Sequence, residues 1–312
     1  MTIPLGKWRR LQQAASPRGT FTILAMDHRG PVRRALEGEA GAPVPDRALS
    51  ELKKDVVRAL GGASSAVLLD PETGVGPCVS GGALDGQTGL IVVLDAGSTG
   101  DPRRRETSLV EGWSVEKTAR LGACGAKLLI YYRPDAPGAA EREALVRRVG
   151  EECARHEMPL FLEPLSYALD DPGASPRSPE RRRVVPETAR RLVPLGADVL
   201  KAEFPLDVEE VPDESAWRAA CEELTAACPV PWVLLSGGVA FETFLRQTRV
   251  ACEAGASGVM VGRAVWSEAV TGDVEARRGF LATVARKRME RLRELCDGRG
   301  RSLAELYGPP RS

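Results

Sequence analysis

The chain has 312 residues, of which 43% are hydrophobic and 28% charged; this composition is that of a globular protein and excludes a disordered or fibrous one. Its 43 basic and 43 acidic residues give a formal net charge of zero, which leaves no basic excess for binding nucleic acid or a membrane surface. Because near-neutral charge also gives little repulsion between copies, we expect a homo-oligomer.

The cysteines and the amino-terminal sequence predict a cytoplasmic protein. The seven cysteines are odd in number and form no Cys-x-x-Cys pair, so neither a disulfide framework nor a structural zinc site is expected. The amino-terminal sequence has no long apolar segment of the signal-peptide kind, and no apolar run reaches the roughly 20 residues that span a bilayer. With only two histidines, a metal held by three histidines is excluded, and we expect no metal and no cofactor.

Eight short apolar segments predict eight buried parallel strands. Each consists mostly of large or β-branched apolar residues without polar alternation, the pattern of strands that are buried on both faces. In chain order the segments are 21–27, 65–70, 90–95, 127–132, 159–164, 198–203, 231–238 and 257–262.

Helix-compatible segments separate these strands, and several end in Gly shortly before the next strand, as helix C-caps do. The repeated strand–helix alternation predicts a single (β/α)₈ TIM barrel over residues 1–312 rather than an open doubly wound sheet. We interpret the Pro-, Arg- and Ser-rich stretch 169–187 as a long loop after strand 5, over the barrel mouth. Residues 275–300 predict a C-terminal helix. The other predicted helices are 46–60, 114–125, 140–156, 186–196, 214–228 and 240–255.

A lysine interrupts the sixth predicted strand. Lys201 stands in the segment DVLKAEF, among residues expected to be buried, and lysine is almost never fully buried unless it is paired. It either forms a salt bridge with an acid such as Glu203 or Glu163, or it is a Schiff-base lysine, whose neutral amine attacks a carbonyl carbon.

Lys127 and Glu163 could support a Schiff-base lysine. Lys127 opens the fourth predicted strand, and at roughly 6 Å its repulsion of Lys201, about 3 kcal/mol, would favour a neutral amine. Lys127 could instead lie at the bottom of the barrel, since it comes early in its strand. Glu163 ends the fifth strand, where a carboxylate could move protons during carbon–carbon bond cleavage or serve a structural role.

Glycines follow the seventh and eighth strands, at Ser236-Gly237-Gly238 and at Gly262-Arg263. Backbone N–H groups can approach an anion at such glycines, and barrels often bind a phosphate after these two strands. Arg263 could add a charge-assisted contact. Tight turns are the alternative explanation of each glycine segment.

Seven segments between about residue 20 and residue 270 form a combined pattern. In chain order they read AMDHRG, LLDPETG, KLLIYYRPD, PLFLEPLSY, DVLKAEFP, WVLLSGGVAFETF and GVMVGRAVW. Together they resemble the class I tagatose 1,6-bisphosphate aldolase family, to which the sulfofructosephosphate aldolases are related. The resemblance implies a metal-independent Schiff-base aldolase without a cofactor, acting on a phosphorylated ketose.

The resemblance also implies roles for individual residues. Lys201 takes the place of the Schiff-base lysine, and Lys127 and Glu163 lie in the catalytic centre. Asp27 and Arg29 match a DQRG-like start at which family members contact substrate.

Two positions depart from the family pattern. His28 stands where the family usually has Gln, and Arg133 stands where tagatose-bisphosphate aldolases commonly carry an acid. Both are expected to contact substrate near the barrel mouth, where an arginine would suit a terminal phosphate or sulfonate. We therefore predict the 1-phosphate at the two glycine turns, with Arg263, and the far anion across the mouth near Arg29 and Arg133.

The predicted reaction cleaves a ketose 1,6-bisphosphate of the tagatose type to dihydroxyacetone phosphate and glyceraldehyde 3-phosphate. Lys201 attacks the C2 ketone, and Glu163 removes the C4 hydroxyl proton directly or through water. One alternative is cleavage of sulfofructose 1-phosphate to dihydroxyacetone phosphate and sulfolactaldehyde. Another is a non-catalytic sugar-phosphate sensor on the same scaffold, although two neighbouring buried lysines argue against it.

Overall fold

The fold is a closed barrel of eight parallel strands, which confirms the predicted (β/α)₈ architecture. The computed structural model describes residues 2–97 and 107–308. Each strand pairs with the next one along the chain, and the last pairs with the first. The strands are β1 (Phe21–Met26), β2 (Ala66–Leu69), β3 (Gly89–Val93), β4 (Gly125–Tyr131), β5 (Leu160–Leu165), β6 (Val199–Ala202), β7 (Trp232–Leu235) and β8 (Gly258–Val261).

Helices surround the barrel, and a helical region follows its last strand, as predicted. Their apolar faces pack on the outward side chains of the strands in two large clusters. The helices are α1 (Leu5–Ala14), α2 (Gly30–Ala40), α3 (Asp46–Leu60), α4 (Gly76–Ser80), α5 (Val115–Arg120), α6 (Ala139–Arg155), α7 (Ser178–Leu192), α8 (Glu214–Ala227), α9 (Phe241–Glu253), α10 (Arg263–Trp266), α11 (Val274–Phe280), α12 (Arg286–Arg299) and α13 (Leu303–Leu306), with short 3₁₀ or π turns at Gly61–Ala63, Pro71–Val75, Val193–Leu195, Ser267–Ala269 and Leu281–Ala285.

Strand alternation brings ionisable groups to one end of the barrel interior. Successive side chains of a strand point to opposite faces, and apolar residues of β1, β3, β5 and β6 fill the inside of the barrel. In or just after each of these four strands, the residue two positions beyond the last inward apolar residue is charged. Those residues are Asp27, Asp95, Glu163 and Lys201.

The opposite end of the barrel is closed. Lys7 of α1 donates a 2.6 Å hydrogen bond to the Asp198 carboxylate, just before β6, and the backbone N–H of Leu160 donates to the same oxygen at 2.8 Å. The hydroxyl of Tyr307 donates to the backbone carbonyl of Asp198 at 2.6 Å. The large cavity lined by described residues opens at the carboxyl end of the strands instead.

The segment after β5 differs from the prediction of a loop over 169–187. Helix α7 already begins at Ser178, so the loop ends ten residues earlier than expected. Pro179 fits the first turn of a helix, where the missing N–H is unpaired in any case. Pro186 lies inside the helix, where proline normally breaks it, and burial of this helix face compensates. The polar composition of this stretch predicted a loop, whereas the structure has a helix that carries Arg181 to the cavity.

The C-terminal helix is observed over the predicted range. α11, a π turn and α12 follow one another without interruption from Val274 to Arg299. No helix in the two described ranges is both long enough and apolar enough to cross a membrane.

Candidate active site

Lys127 is the centre of a buried charge cluster at the open end of the barrel. It is the third residue of β4, is 1% exposed, and points into the interior. Its ammonium nitrogen lies 3.0 Å from Asp27 Oδ2, 3.4 Å from Asp95 Oδ1 and 2.7 Å from Glu163 Oε2. The alternative position at the bottom of the barrel is thus not observed.

Glu163 joins the two lysines. Its Oε1 lies 2.8 Å from the ammonium nitrogen of Lys201, while its Oε2 contacts Lys127. Lys201 is 4% exposed and lines the cavity. The salt bridge considered for Lys201 therefore exists, and it places an acid–base group within reach of the amine.

Charge pairing in the cluster outweighs burial for three of its members. Burial alone raises the pKa of Asp27, but Lys127, Lys201 and His28 hold that pKa well below its ordinary value. The pKa of Glu163 is likewise raised by burial and lowered overall by the two lysines. Burial lowers the pKa of Lys127, but the three carboxylates raise it well above its usual range.

Asp95 was not among the predicted site residues. Its pKa is raised, chiefly by burial, and its Oδ1 accepts a 2.7 Å hydrogen bond from the backbone N–H of Leu129. The carbonyl of Asp95 accepts from Arg29 at 2.7 Å, so this residue links Lys127 to the end of β1. Its signal was present in the sequence, because Asp95 ends the third apolar segment as Asp27 ends the first.

His28 lies in the cavity as a neutral imidazole. Burial, Lys201 and Arg263 lower its pKa to about 4, against the opposing effect of Asp27. The ring packs edge-on against Trp266 at 5.1 Å between centroids, and its buried Nδ1 has no hydrogen-bond partner among the described residues. His28 can therefore act as an uncharged hydrogen-bonding group, as a glutamine would.

The two glycine turns, after β7 and after β8, meet beside Arg263. Gly237 and Gly238 have φ of 58° and 85°, a conformation that favours glycine. A Cβ at Gly238 would lie 3.1 Å from Cζ of Arg263, so the guanidinium covers this turn. Arg263 has no ion-pair or hydrogen-bond partner within the described ranges, and Ser236 and Gly262 face each other beside it.

The side chain of Arg29 follows β1 and extends toward the ends of β2 and β3. Its guanidinium forms an ion pair with Glu72, just after β2, and donates to the carbonyl of Asp95, just after β3. Gly262 and Arg263 follow β8, which pairs with the other edge of β1. The guanidinium therefore lies away from the glycine turns, and its contact with a far anion stays a prediction.

Arg133 does not line the cavity. It is 1% exposed and donates to both carboxylate oxygens of Asp135, to Glu180 at 2.7 Å and to the carbonyl of Tyr167 at 2.9 Å. With its donors used in this way, it fixes the segments after β4 and β5 and is not free for a substrate anion. The expected role of Arg133 is corrected accordingly.

One cavity of about 1520 Å³ collects the predicted residues except Arg133 and Gly238. Its size exceeds the 300–1,000 Å³ typical of small-molecule sites. The described residues contain no group of three or more His, Cys, Asp or Glu arranged to hold a metal ion. Predicted residues along its wall are Asp27, His28, Arg29, Lys127, Glu163, Lys201, Ser236, Gly237, Gly262 and Arg263.

Comparison with known proteins gives a consistent result. The profile of the DeoC/LacD family aldolases matches residues 21–268. The chain is 30% identical to tagatose 1,6-diphosphate aldolase 2 of Enterococcus faecalis, with 95% of each chain covered. It is 29% identical to tagatose 1,6-diphosphate aldolase of Staphylococcus haemolyticus, with 95% of this chain and 97% of that protein covered.

Solved structures share the fold. An archaeal fructose 1,6-bisphosphate aldolase superposes with a TM-score of 0.63 at 22% identity, covering 94% of this chain and 99% of its own. A Schiff-base-forming fructose-1,6-bisphosphate aldolase, studied through its reaction intermediates, gives a TM-score of 0.60 at 22% identity, with 93% and 99% covered.

Proposed function

The chain belongs to the DeoC/LacD family of aldolases, and we propose that it cleaves a ketose 1,6-bisphosphate of the tagatose type through a Schiff base on Lys201. The products are dihydroxyacetone phosphate and glyceraldehyde 3-phosphate. The observation that carries the proposal is the buried triad in which Glu163 lies within 2.8 Å of both Lys201 and Lys127.

The reaction begins at the lysine nitrogen. Lys201 loses a proton to Glu163 and attacks the C2 carbonyl carbon. Glu163 then returns this proton to the departing hydroxyl, so that water leaves, an iminium ion forms, and Glu163 is again a carboxylate. The positive nitrogen then accepts the electron pair of the C3–C4 bond, so that no metal is needed as the electron sink.

Glu163 serves as the base of the cleavage step. Its carboxylate removes the proton of the C4 hydroxyl, C4 becomes the aldehyde of the leaving product, and C3 becomes part of an enamine. Protonation of C3 and hydrolysis of the iminium then release dihydroxyacetone phosphate. Lys127, held by three carboxylates, fixes the orientation of Glu163 and balances its charge.

The anion pocket supports this orientation of the substrate. Ser236, Gly237, Gly262 and the unpaired Arg263 lie after β7 and β8, and β7 adjoins the strand of Lys201. A 1-phosphate bound there leaves C2 beside the lysine. The arginine contributes a charge-assisted contact to the phosphate.

Borohydride trapping tests the proposal. Incubation with dihydroxyacetone phosphate and borohydride should inactivate the enzyme and add a reduced adduct that peptide mass spectrometry locates on Lys201. Lys201→Met should form no adduct and lose cleavage. An adduct on Lys127, or binding of the ketose without adduct or products, would contradict the mechanism, and the second result would favour a sensor.

Substrate choice is tested on the same preparation. Tagatose 1,6-bisphosphate, fructose 1,6-bisphosphate and 6-sulfofructose 1-phosphate are compared by kcat/KM, with the aldehyde product identified in each case. The highest value for the sulfonated ketose would replace the bisphosphate assignment by sulfofructose 1-phosphate cleavage. Activity should survive exhaustive chelation, and a loss that zinc or cobalt restores would contradict the Schiff-base mechanism.

A further inference from the structure

A second arginine faces the cavity away from the anion pocket. Arg181 lies in the first turns of α7, the helix that replaces the expected loop after β5, and it lines the cavity wall. We propose that Arg181 binds the anionic group at the far end of the ketose and thereby selects substrates with two anions. This inference rests on the proposed function.

The guanidinium of Arg181 has unused hydrogen-bonding capacity. Its side chain is 15% exposed, and its only ion pair in the described residues is a long one, 3.4 Å from NH2 to Glu203 Oε1. Its buried Nε has no hydrogen-bond partner within residues 2–97 and 107–308. Because a guanidinium carries five N–H donors in a fixed fork, most of them are available to a tetrahedral oxyanion.

Glu203 holds Arg181 in this position. Its Oε2 accepts hydrogen bonds from the backbone N–H and the hydroxyl of Ser166, at 2.7 and 2.6 Å. The other oxygen therefore stays oriented toward Arg181. A cation that is partly buried, restrained and incompletely paired binds an anion with less loss of side-chain entropy than an exposed arginine.

The other arginines along the wall are less suitable for a distal anion. Arg34 is exposed, where solvent and salt weaken its attraction for an anion. Arg263 belongs to the pocket for the 1-phosphate. The remaining three are paired with acids: Arg29 with Glu72, Arg33 with Asp46, and Arg246 with Glu214.

Strand order explains why the two anionic groups of the substrate bind on opposite sides of Lys201. The anion pocket follows β7 and β8, on one side of Lys201 in β6, whereas α7 connects β5 to β6 on the other side. A ketose whose C2 is attached to Lys201 sends C1 toward the first site. Its C4 to C6 end passes Glu163 of β5 and reaches Arg181.

The matched pair Arg181→Ala and Arg182→Ala tests this inference. Arg182 is the next residue of the same helix, but it pairs with Glu223 on the outer surface. The measurement is kcat/KM for a ketose 1,6-bisphosphate divided by kcat/KM for the same ketose 1-phosphate. We expect Arg181→Ala to lower this ratio by roughly ten- to a hundredfold, and Arg182→Ala to leave it unchanged.

Each outcome has a distinct meaning. An unchanged ratio in Arg181→Ala overturns the inference, and so does an equal fall in both variants. Arg181→Lys, which keeps the charge and loses the fork, should give an intermediate ratio if the site binds an oxyanion. Comparison with 6-sulfofructose 1-phosphate shows whether that oxyanion is phosphate or sulfonate. If the wild type cleaves none of these ketoses, the proposed function fails instead.

Discussion

Replacing Lys127 by Met should both destabilise the protein and change how its stability depends on pH. Methionine is similar in length, but it leaves Asp27, Asp95 and Glu163 around a buried site with Lys201 as the nearest cation. In the wild type these carboxylates lie 2.7 to 3.4 Å from the Lys127 nitrogen. Without that nitrogen, the three carboxylates lose the cation that compensates for their burial.

The magnitude follows from the burial of the cluster. Removing one partner of a buried ion pair costs about 3–5 kcal/mol, which for a chain of this length lowers Tm by about 5–8 °C. In the wild type the pKa values of Asp27 and Glu163 are lowered. They therefore stabilise the fold above their unfolded pKa of about 4, and that stabilisation is lost as the pH falls. In the variant, burial raises the pKa values of both carboxyls. The loss in free energy of unfolding relative to the wild type, called the deficit below, should therefore be largest at pH 7.5 and shrink toward pH 5.

Urea unfolding of Lys127→Met and wild type at pH 7.5 and 5.5 measures this deficit. Lys7→Met is the matched control, because Lys7 is also buried and ion-paired, with Asp198, but at the closed end of the barrel. Both variants should lose stability, whereas only Lys127→Met should lose borohydride trapping at Lys201. A deficit below about 1 kcal/mol, or one that grows toward low pH, would refute the reasoning.

Three further predictions concern the remaining site residues. Glu163→Gln should lower kcat by roughly 10²- to 10⁴-fold with little change in KM; a change in KM alone would make Glu163 a binding residue. Because the pKa of His28 is lowered to about 4, the folded protein resists its protonation, and stability falls below pH 6.5. His28→Gln should therefore remove about 2 kcal/mol of the wild type's loss of stability between pH 7.5 and 5, and an unchanged loss in urea unfolding would disprove this. Arg263→Ala should lower kcat/KM about ten- to a hundredfold for every ketose 1-phosphate, with or without a second anion; a loss confined to bisphosphates would reassign Arg263 to the distal anion.

The strand-end lysines and acids could be found from the sequence because they interrupt a strong pattern. A lysine within DVLKAEF is conspicuous, since each neighbouring position is apolar and expected to be buried. Glu163 and Asp27 end similar segments, and alternation along the strand placed them on the inward face. Asp95 also ends an apolar segment. Applying the same criterion to every strand end would have predicted it as a site residue.

Arg133 and Arg181 show where such reading fails. Arg133 directly follows the apolar segment of β4, whereas Arg181 lies in a polar stretch, so the sequence favoured Arg133 as the arginine at the barrel mouth. Arg133 uses its donors on Asp135, Glu180 and a backbone carbonyl, whereas Arg181 is carried to the cavity by a helix whose prolines suggested a loop. Which arginine is free depends on partners that are distant in sequence.

The sequence by itself determined the eight strands, their order and the chemistry at their ends, because burial of a parallel strand demands an apolar run and makes every exception visible. Tertiary structure alone decided how these groups meet. The convergence of β1, β3, β4 and β5 surrounded Lys127 with three carboxylates. Such contacts join residues up to a hundred positions apart, and they depend on strand register and side-chain direction, which local composition does not encode.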